Sequence, residues 1–215
     1  MIFKKSFQRF LVAVLLASTF SQVQAEESSD LQTFVGLLNQ FDTLSANFIQ
    51  TTLDNEGMNL NEVHGDMVIA RPNKFYWRSF PPVEQDVISN GETLWIFDRD
   101  LEQVTRQAAQ QQMSRSPAVI LSGDQSQIEA LYQVRQRTSE SEYTSFNLTP
   151  ILPESGLNAI VAVFRNGVVS ELRFEDSLGQ KTLIELRDTK TNVPLAKGHF
   201  DFVAPEGVDV LDQSQ

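Results

Sequence analysis

The chain has 215 residues, 41% of them apolar, with 17 basic against 28 acidic side chains and no cysteine. The absent thiols exclude disulfides, thiolate metal sites, cysteine nucleophiles and a lipid-modified cysteine anchor. A formal charge of −11 repels phosphate backbones and anionic headgroups, which excludes nucleic acid as a partner and stable residence on a membrane surface.

The first 25 residues read as a secretory signal peptide. Lys4, Lys5 and Arg9 form a basic start, residues 10–17 are an apolar run too short to span a membrane, and Val23-Gln24-Ala25 is a small-residue cleavage site. Removing them takes away three cations and no acid, so the expected mature domain, 26–215, carries a formal charge of −14 over 190 residues. That length suits one domain with a core of its own.

Asp30 is a candidate N-cap for an amphipathic helix. Leu31, Phe34, Val35, Leu38 and Phe41 recur at helical spacing and place its end near Phe41. Leu44, Ala46 and Phe48 then alternate with polar neighbours, as a strand requires. After a turn at Asn55-Glu56-Gly57, residues 65–71 put Met67, Ile69 and Arg71 at one parity. An arginine that follows two apolar residues toward a buried face is costly unless paired; the other reading is a twisted strand end that leaves Arg71 in water. Pro72-Asn73 is a turn, and Phe75 and Trp77 share one face of the next strand while Lys74, Tyr76 and Arg78 share the other.

Asn90-Gly91 is a hairpin signal between residues 87–89 and 93–97. Pairing Ser89 with Glu92 puts Ile88, Thr93, Trp95 and Phe97 on one face and Val87, Leu94 and Ile96 on the other. Both faces are apolar, so this part of the sheet is covered on both sides or lines a cavity. Residues 101–105 read as a strand, and the glutamine-rich 106–113 as a short helix. Ser116-Pro117 starts another helix, whose apolar run Ala118-Val119-Ile120-Leu121 must lie on something apolar and whose stop is Gly123. Strands follow at 132–137 and 143–149, and a hairpin at 160–174 turns at Asn166-Gly167. Another strand covers 181–187, a short helical or turn segment covers 194–197, and a last strand covers 199–203. The sum is about ten mostly antiparallel strands, and an open sheet of that width curls.

The sequence holds no nucleophile elbow, phosphate loop or zinc-protease helix, and its two histidines, His64 and His199, are too few for a metal site without other ligands. No enzyme and no cofactor are expected. Phe75, Trp77, Trp95 and Phe97, with Val119, Ile120 and Leu121, fit either one dry core or a concave aromatic face closed by a movable lid.

Five blocks carry a family resemblance: residues 71–77 (RPNKFYW), 88–95 (ISNGETLW), 100–105 (DLEQVT), 116–124 (SPAVILSGD) and 205–208 (PEGV). In their order they resemble the LolA family, periplasmic carriers of outer-membrane lipoproteins. The resemblance implies an α+β, mainly antiparallel fold, an unclosed and strongly curled β-barrel with an α-helical lid over a hydrophobic cavity. It implies a monomeric carrier that accepts lipoprotein cargo from an inner-membrane lipoprotein-releasing ABC transporter complex, shields the acyl chains, and delivers them to an outer-membrane lipoprotein receptor. By the same resemblance Arg71 latches the lid through its backbone carbonyls. The cavity is then lined by Met67, Ile69, Phe75, Trp77, Trp95 and Phe97, and the lid is Pro117, Ala118, Val119, Ile120 and Leu121. The alternatives are a lipid- or envelope-stress-sensing regulator of the same fold and a carrier of another lipid.

Overall fold

A computed structural model describes residues 20–109, 117–122, 125–140, 142–152 and 156–214. Helix α1 (Phe20–Leu38) leads into strands β1 (Thr43–Leu53), β2 (Asn59–Ala70), β3 (Lys74–Ser79), β4 (Gln85–Asn90), β5 (Thr93–Asp98) and β6 (Gln103–Ala108). Two short helices follow, α2 (Pro117–Ser122) and α3 (Gln125–Leu131). The chain then forms β7 (Tyr132–Ser139), β8 (Tyr143–Pro150), β9 (Leu157–Arg165), β10 (Val168–Asp176), β11 (Lys181–Thr191) and β12 (Asp209–Asp212).

All twelve strands belong to one sheet, ordered β12-β6-β5-β4-β3-β2-β1-β11-β10-β9-β8-β7, so β12 and β7 are the two edges of an unclosed barrel. Every neighbouring pair is antiparallel except β12 and β6. The curl follows from the core. Leu94 on β5 and Tyr132 and Val134 on β7 belong to one apolar cluster. Nine strand spacings separate β5 from β7 in the sheet order, and at about 4.8 Å each a flat sheet would hold those side chains about 40 Å apart. Helix α1 fills the concave side: Phe34 is fully buried and meets Phe146 and Phe164 edge to face at centroid distances of 5.2 and 5.8 Å.

Alternation in β1 is as expected, with Leu44, Ala46 and Phe48 buried on the concave face. Phe48 pairs with Gly65 on β2, and its ring lies across the space that a side chain at 65 would need. A Cβ there would sit 2.0 Å from the Arg78 carbonyl oxygen and 2.4 Å from the Phe48 ring. Gly65→Ala must therefore displace both backbone and ring, and a loss of about 3 kcal/mol in urea unfolding is expected. A loss below about 0.5 kcal/mol, the range of an unconstrained surface change, would contradict this packing.

Several expectations are corrected. Asp30 is not an N-cap, because α1 already runs through Phe20–Leu38; its carboxylate instead accepts from the Gln136 backbone N–H at 3.0 Å. The helix also stops at Leu38, before Phe41. Ser89 pairs with Leu94, not Glu92. The Asn90 side chain caps the turn by accepting from the N–H groups of Glu92 and Thr93, which makes the loop two residues longer and leaves the facing of every side chain unchanged. Residues 106–108 extend β6 where a helix was expected, Ala109 is helical as expected, and 103 rather than 101 begins that strand. Residues 199–203 form no strand; they lie on the outer face of the sheet, and the last strand is β12, parallel to β6. The rest of the expected helix at 110–113, the expected stop Gly123 and residues 1–19 of the expected signal peptide lie outside the described residues.

Candidate functional site: a cleft in the sheet and the turn that holds the end of α2

The turn between β2 and β3 places three groups under α2. Arg71 begins the turn, its backbone N–H donating to Asp42 O at 2.9 Å, and its guanidinium sits over the Phe41 ring at 5.4 Å. The Arg71 Nη2 then donates to Leu121 O at 2.6 Å, and the Asn73 N–H donates to Ser122 O at 2.9 Å. The last carbonyls of a helix lack partners within it, and two of those of α2 are met here by one turn. Burial pulls the Arg71 pKa down to about 10, with the nearby Asp42 acting in the opposite sense. The fold therefore disfavours the charged form. That cost is fully present below pH 10 and is relieved as pH rises through about 10 toward the ordinary arginine range, so the contact does not titrate near neutrality.

Beneath α2 the interior is filled. Ile120 and Leu121 are each 1% exposed and join the cluster that contains Met67, Ile69 and Phe75. Past Phe75 the same face opens. Trp77 stacks on Phe48 at a centroid distance of 4.2 Å, and a cleft of about 300 Å³ continues between β1, β2, β3 and β4. Its walls include Val63, Phe75, Trp77 and Val87, and its polar lining is Gln50, Asn61, Ser79 and Gln85. Among the described residues, none that lines it is charged. The exposed lining is about equally polar and apolar, and neutral polar groups beside Phe75, Trp77 and Val87 suit a ligand that joins hydrocarbon to an uncharged polar part.

Of the six side chains expected in the cavity, four share this face and two do not. Phe75 pairs with Ser89 and Ser89 with Leu94, so β5 turns Leu94 and Ile96 inward. Trp95 and Phe97 consequently point to the outer face, where both rings pack on Phe202 at 6.1 and 5.9 Å. Strand parity decides this, and it overrides the sizes of the two aromatic side chains. The cleft residues that the sequence reading missed are Gln50, Asn61, Val63, Ser79, Val83, Gln85 and Val87. For all but Val83, which lies in the loop between β3 and β4, the common signal was parity with Phe75 across successive antiparallel pairs. Pro117, Ala118 and Val119 lie in α2, as expected of the lid segment, with Pro117 at its first position.

The outer face of β3–β5 carries its own small core. Asp86 is 1% exposed, and its Oδ2 accepts from Arg99 Nη2 at 2.5 Å and Tyr76 Oη at 3.0 Å. Arg78 donates to Tyr76 Oη at 2.9 Å and brings its Nε to 3.6 Å from Asp86 Oδ1. The hydrogen bond to Tyr76 is the main reason the Arg78 pKa is raised. Phe200 and Phe202 from the segment after β11 close this cluster, so both faces of the sheet here are covered.

The family model described as outer membrane lipoprotein carrier protein LolA matches residues 39–203. A protein named outer-membrane lipoprotein carrier protein from Pseudomonas aeruginosa is 38% identical over 205 residues, covering 95% of this chain and 98% of the relative. One of the same name from Azotobacter vinelandii is 37% identical over the same shares. Among solved structures, an uncharacterized conserved protein from Thermus thermophilus aligns with a TM-score of 0.55 at 11% identity, over 89% of this chain and all of that one, a likeness of fold alone. With the match spanning most of the sheet, the Arg71 turn and α2, the chain belongs to the LolA family of outer membrane lipoprotein carrier proteins.

Proposed function

We propose that the protein is a periplasmic carrier of lipoproteins, exported by a signal peptide ending at Ala25, with the acyl chains of its cargo held in the cleft that runs from Trp77 toward α2. The observation that carries this reading is the continuity of one apolar face, open at Trp77 and roofed by Ile120 and Leu121. Lifting α2 would remove two buried side chains from that face and lengthen the cleft without breaking a sheet ladder. Arg71 is then the latch of the roof, and Met67, Ile69, Phe75 and Trp77 are cavity wall.

Exposing an acyl chain of about 15 methylenes to water costs on the order of 12 kcal/mol at about 0.8 kcal/mol per methylene. A carrier in water is therefore required, and a cleft wall without charge lets the chain leave again. We assign the donor as an inner-membrane lipoprotein-releasing ABC transporter complex and the acceptor as an outer-membrane receptor. The test incubates mature protein, residues 26–215, with energised membranes bearing the transporter and a triacylated lipoprotein. The expected result is lipoprotein in the supernatant as a one-to-one complex with the carrier. Lipoprotein that stays in the membrane pellet, with transporter shown to be active toward another carrier of the family, would overturn the reading.

A further inference from the structure

Ser89 is fully buried at a concave-face position directly across the ladder from Phe75, where an apolar side chain would be the ordinary choice. A buried hydroxyl is costly unless its hydrogen-bonding capacity is used. Here it is used twice: Ser89 Oγ donates to Asn73 O at 2.9 Å and accepts from the Gly91 N–H at 3.1 Å. Asn73 holds a left-handed conformation, φ 62, and its N–H is the group that meets Ser122 O at 2.9 Å. The two turns also lie against each other, since a Cβ at Gly91 would come within 3.9 Å of Pro72 O and 4.0 Å of Asn73 Cβ.

We propose that Ser89 is a positioning residue for the lid, fixing the Asn73 turn so that its N–H and the Arg71 guanidinium grip the end of α2 together. The hydrogen bonds run in one line, from Gly91 N–H to Ser89 Oγ, and from Ser89 Oγ–H to the Asn73 carbonyl. Asn73 then passes the constraint through its own backbone to Ser122. Among the described residues, the grip on α2 thus includes these two points, one a cation and the other a backbone N–H. The backbone point carries no net charge, needs no side chain from Asn73, and depends on a hairpin that is distant in sequence from the lid.

This inference rests on the reading of α2 as a lid, but its test does not need cargo. Amide hydrogen exchange would be followed in the free protein for wild type, Ser89→Ala, Ser89→Thr and Val169→Ala. Val169 is buried on β10 and serves as a core truncation away from the latch. Ser89→Ala is expected to speed exchange of amides 118–122 about five- to tenfold, the change in equilibrium that one net hydrogen bond represents. Ser89→Thr keeps the hydroxyl and is expected to restore protection. Val169→Ala is expected to loosen the sheet without favouring α2. The proposal is overturned if Ser89→Ala speeds α2 and β8 amides alike, if threonine fails to restore α2 selectively, or if α2 is unchanged in Ser89→Ala yet released in Arg71→Leu. Selective release of α2 with cargo retention unaltered would support the positioning role and overturn the part assigned to the lid in carriage.

Discussion

Arg71→Leu is expected to raise the opening of α2 roughly ten- to a hundredfold, because a hydrogen bond from a charged donor is worth about 1.5–3 kcal/mol. Leucine keeps an apolar contact with Phe41 but cannot donate to Leu121 O, 2.6 Å from the guanidinium in the closed arrangement. The fold as a whole should lose little. Burial already lowers the Arg71 pKa to about 10, so removing the cation also removes a desolvation cost. Two measurements together decide the point. Amide exchange across 118–122 should accelerate while the midpoint of chemical denaturation moves by less than the equivalent of about 1 kcal/mol. Unchanged exchange would remove the latch role, and parallel loss of both would make Arg71 a general structural residue.

Asp86→Ala should act in the opposite way, on the fold and not on the lid. It strips the carboxylate that contacts both Arg78 and Arg99, leaving Asp66 as the acid across the ladder from Arg78, and removing one partner of a buried ion pair costs about 3–5 kcal/mol. The two arginine side chains are 41% and 40% exposed, and water therefore takes up part of the loss. About 2–3 kcal/mol is expected, which for a domain of this size lowers Tm by roughly 5–10 °C. The segment through Phe200 and Phe202, seated over the same cluster, should become more open to proteolysis. Asp86→Asn should lose less, since the amide oxygen still accepts from Tyr76 or Arg99. A denaturation midpoint equal to wild type in Asp86→Ala would show that the cluster does not hold the outer face.

The parts of this fold that were legible in the sequence are those governed by local chemistry. Pro117 opens α2 because its missing N–H would be unpaired there in any case. Asn166 and Gly167 both take positive φ, 50 and 79, in the tight turn of the β9–β10 hairpin. The alternation of Leu44, Ala46 and Phe48 gave β1 and its buried face directly.

What was not legible depended on long-range pairing. Phe200 and Phe202 are spaced as in a strand and both turn toward the sheet, but a segment lying across a sheet face has the same burial period as one within the sheet. Only the missing ladder distinguishes them. Conversely, β12 consists of four exposed residues, and nothing in Asp209-Val210-Leu211-Asp212 announces a parallel partner 106 positions earlier. Within the site, Arg71 stood out because it broke a pattern. Ser89 did not, because a serine before Asn-Gly also reads as ordinary turn chemistry. Trp95 and Phe97 were drawn toward the cavity by size, whereas one step of parity from Ser89 to Leu94 sends them outward.

The seam between β12 and β7 has a mechanical consequence. In a closed barrel, strand number and shear fix the diameter, and widening means breaking a ladder or shifting its register. A sheet with a seam is under no such constraint. It can relax its curvature by small changes of twist at each of its strand pairs, with every backbone hydrogen bond retained. Among the described residues, its stiffness against widening therefore resides in the helices packed into the concavity, α1, α2 and α3. The compliance of the container is thus set by helices that rest on side-chain contacts and a few hydrogen bonds, and guests of different girth can be accepted by the same twelve strands.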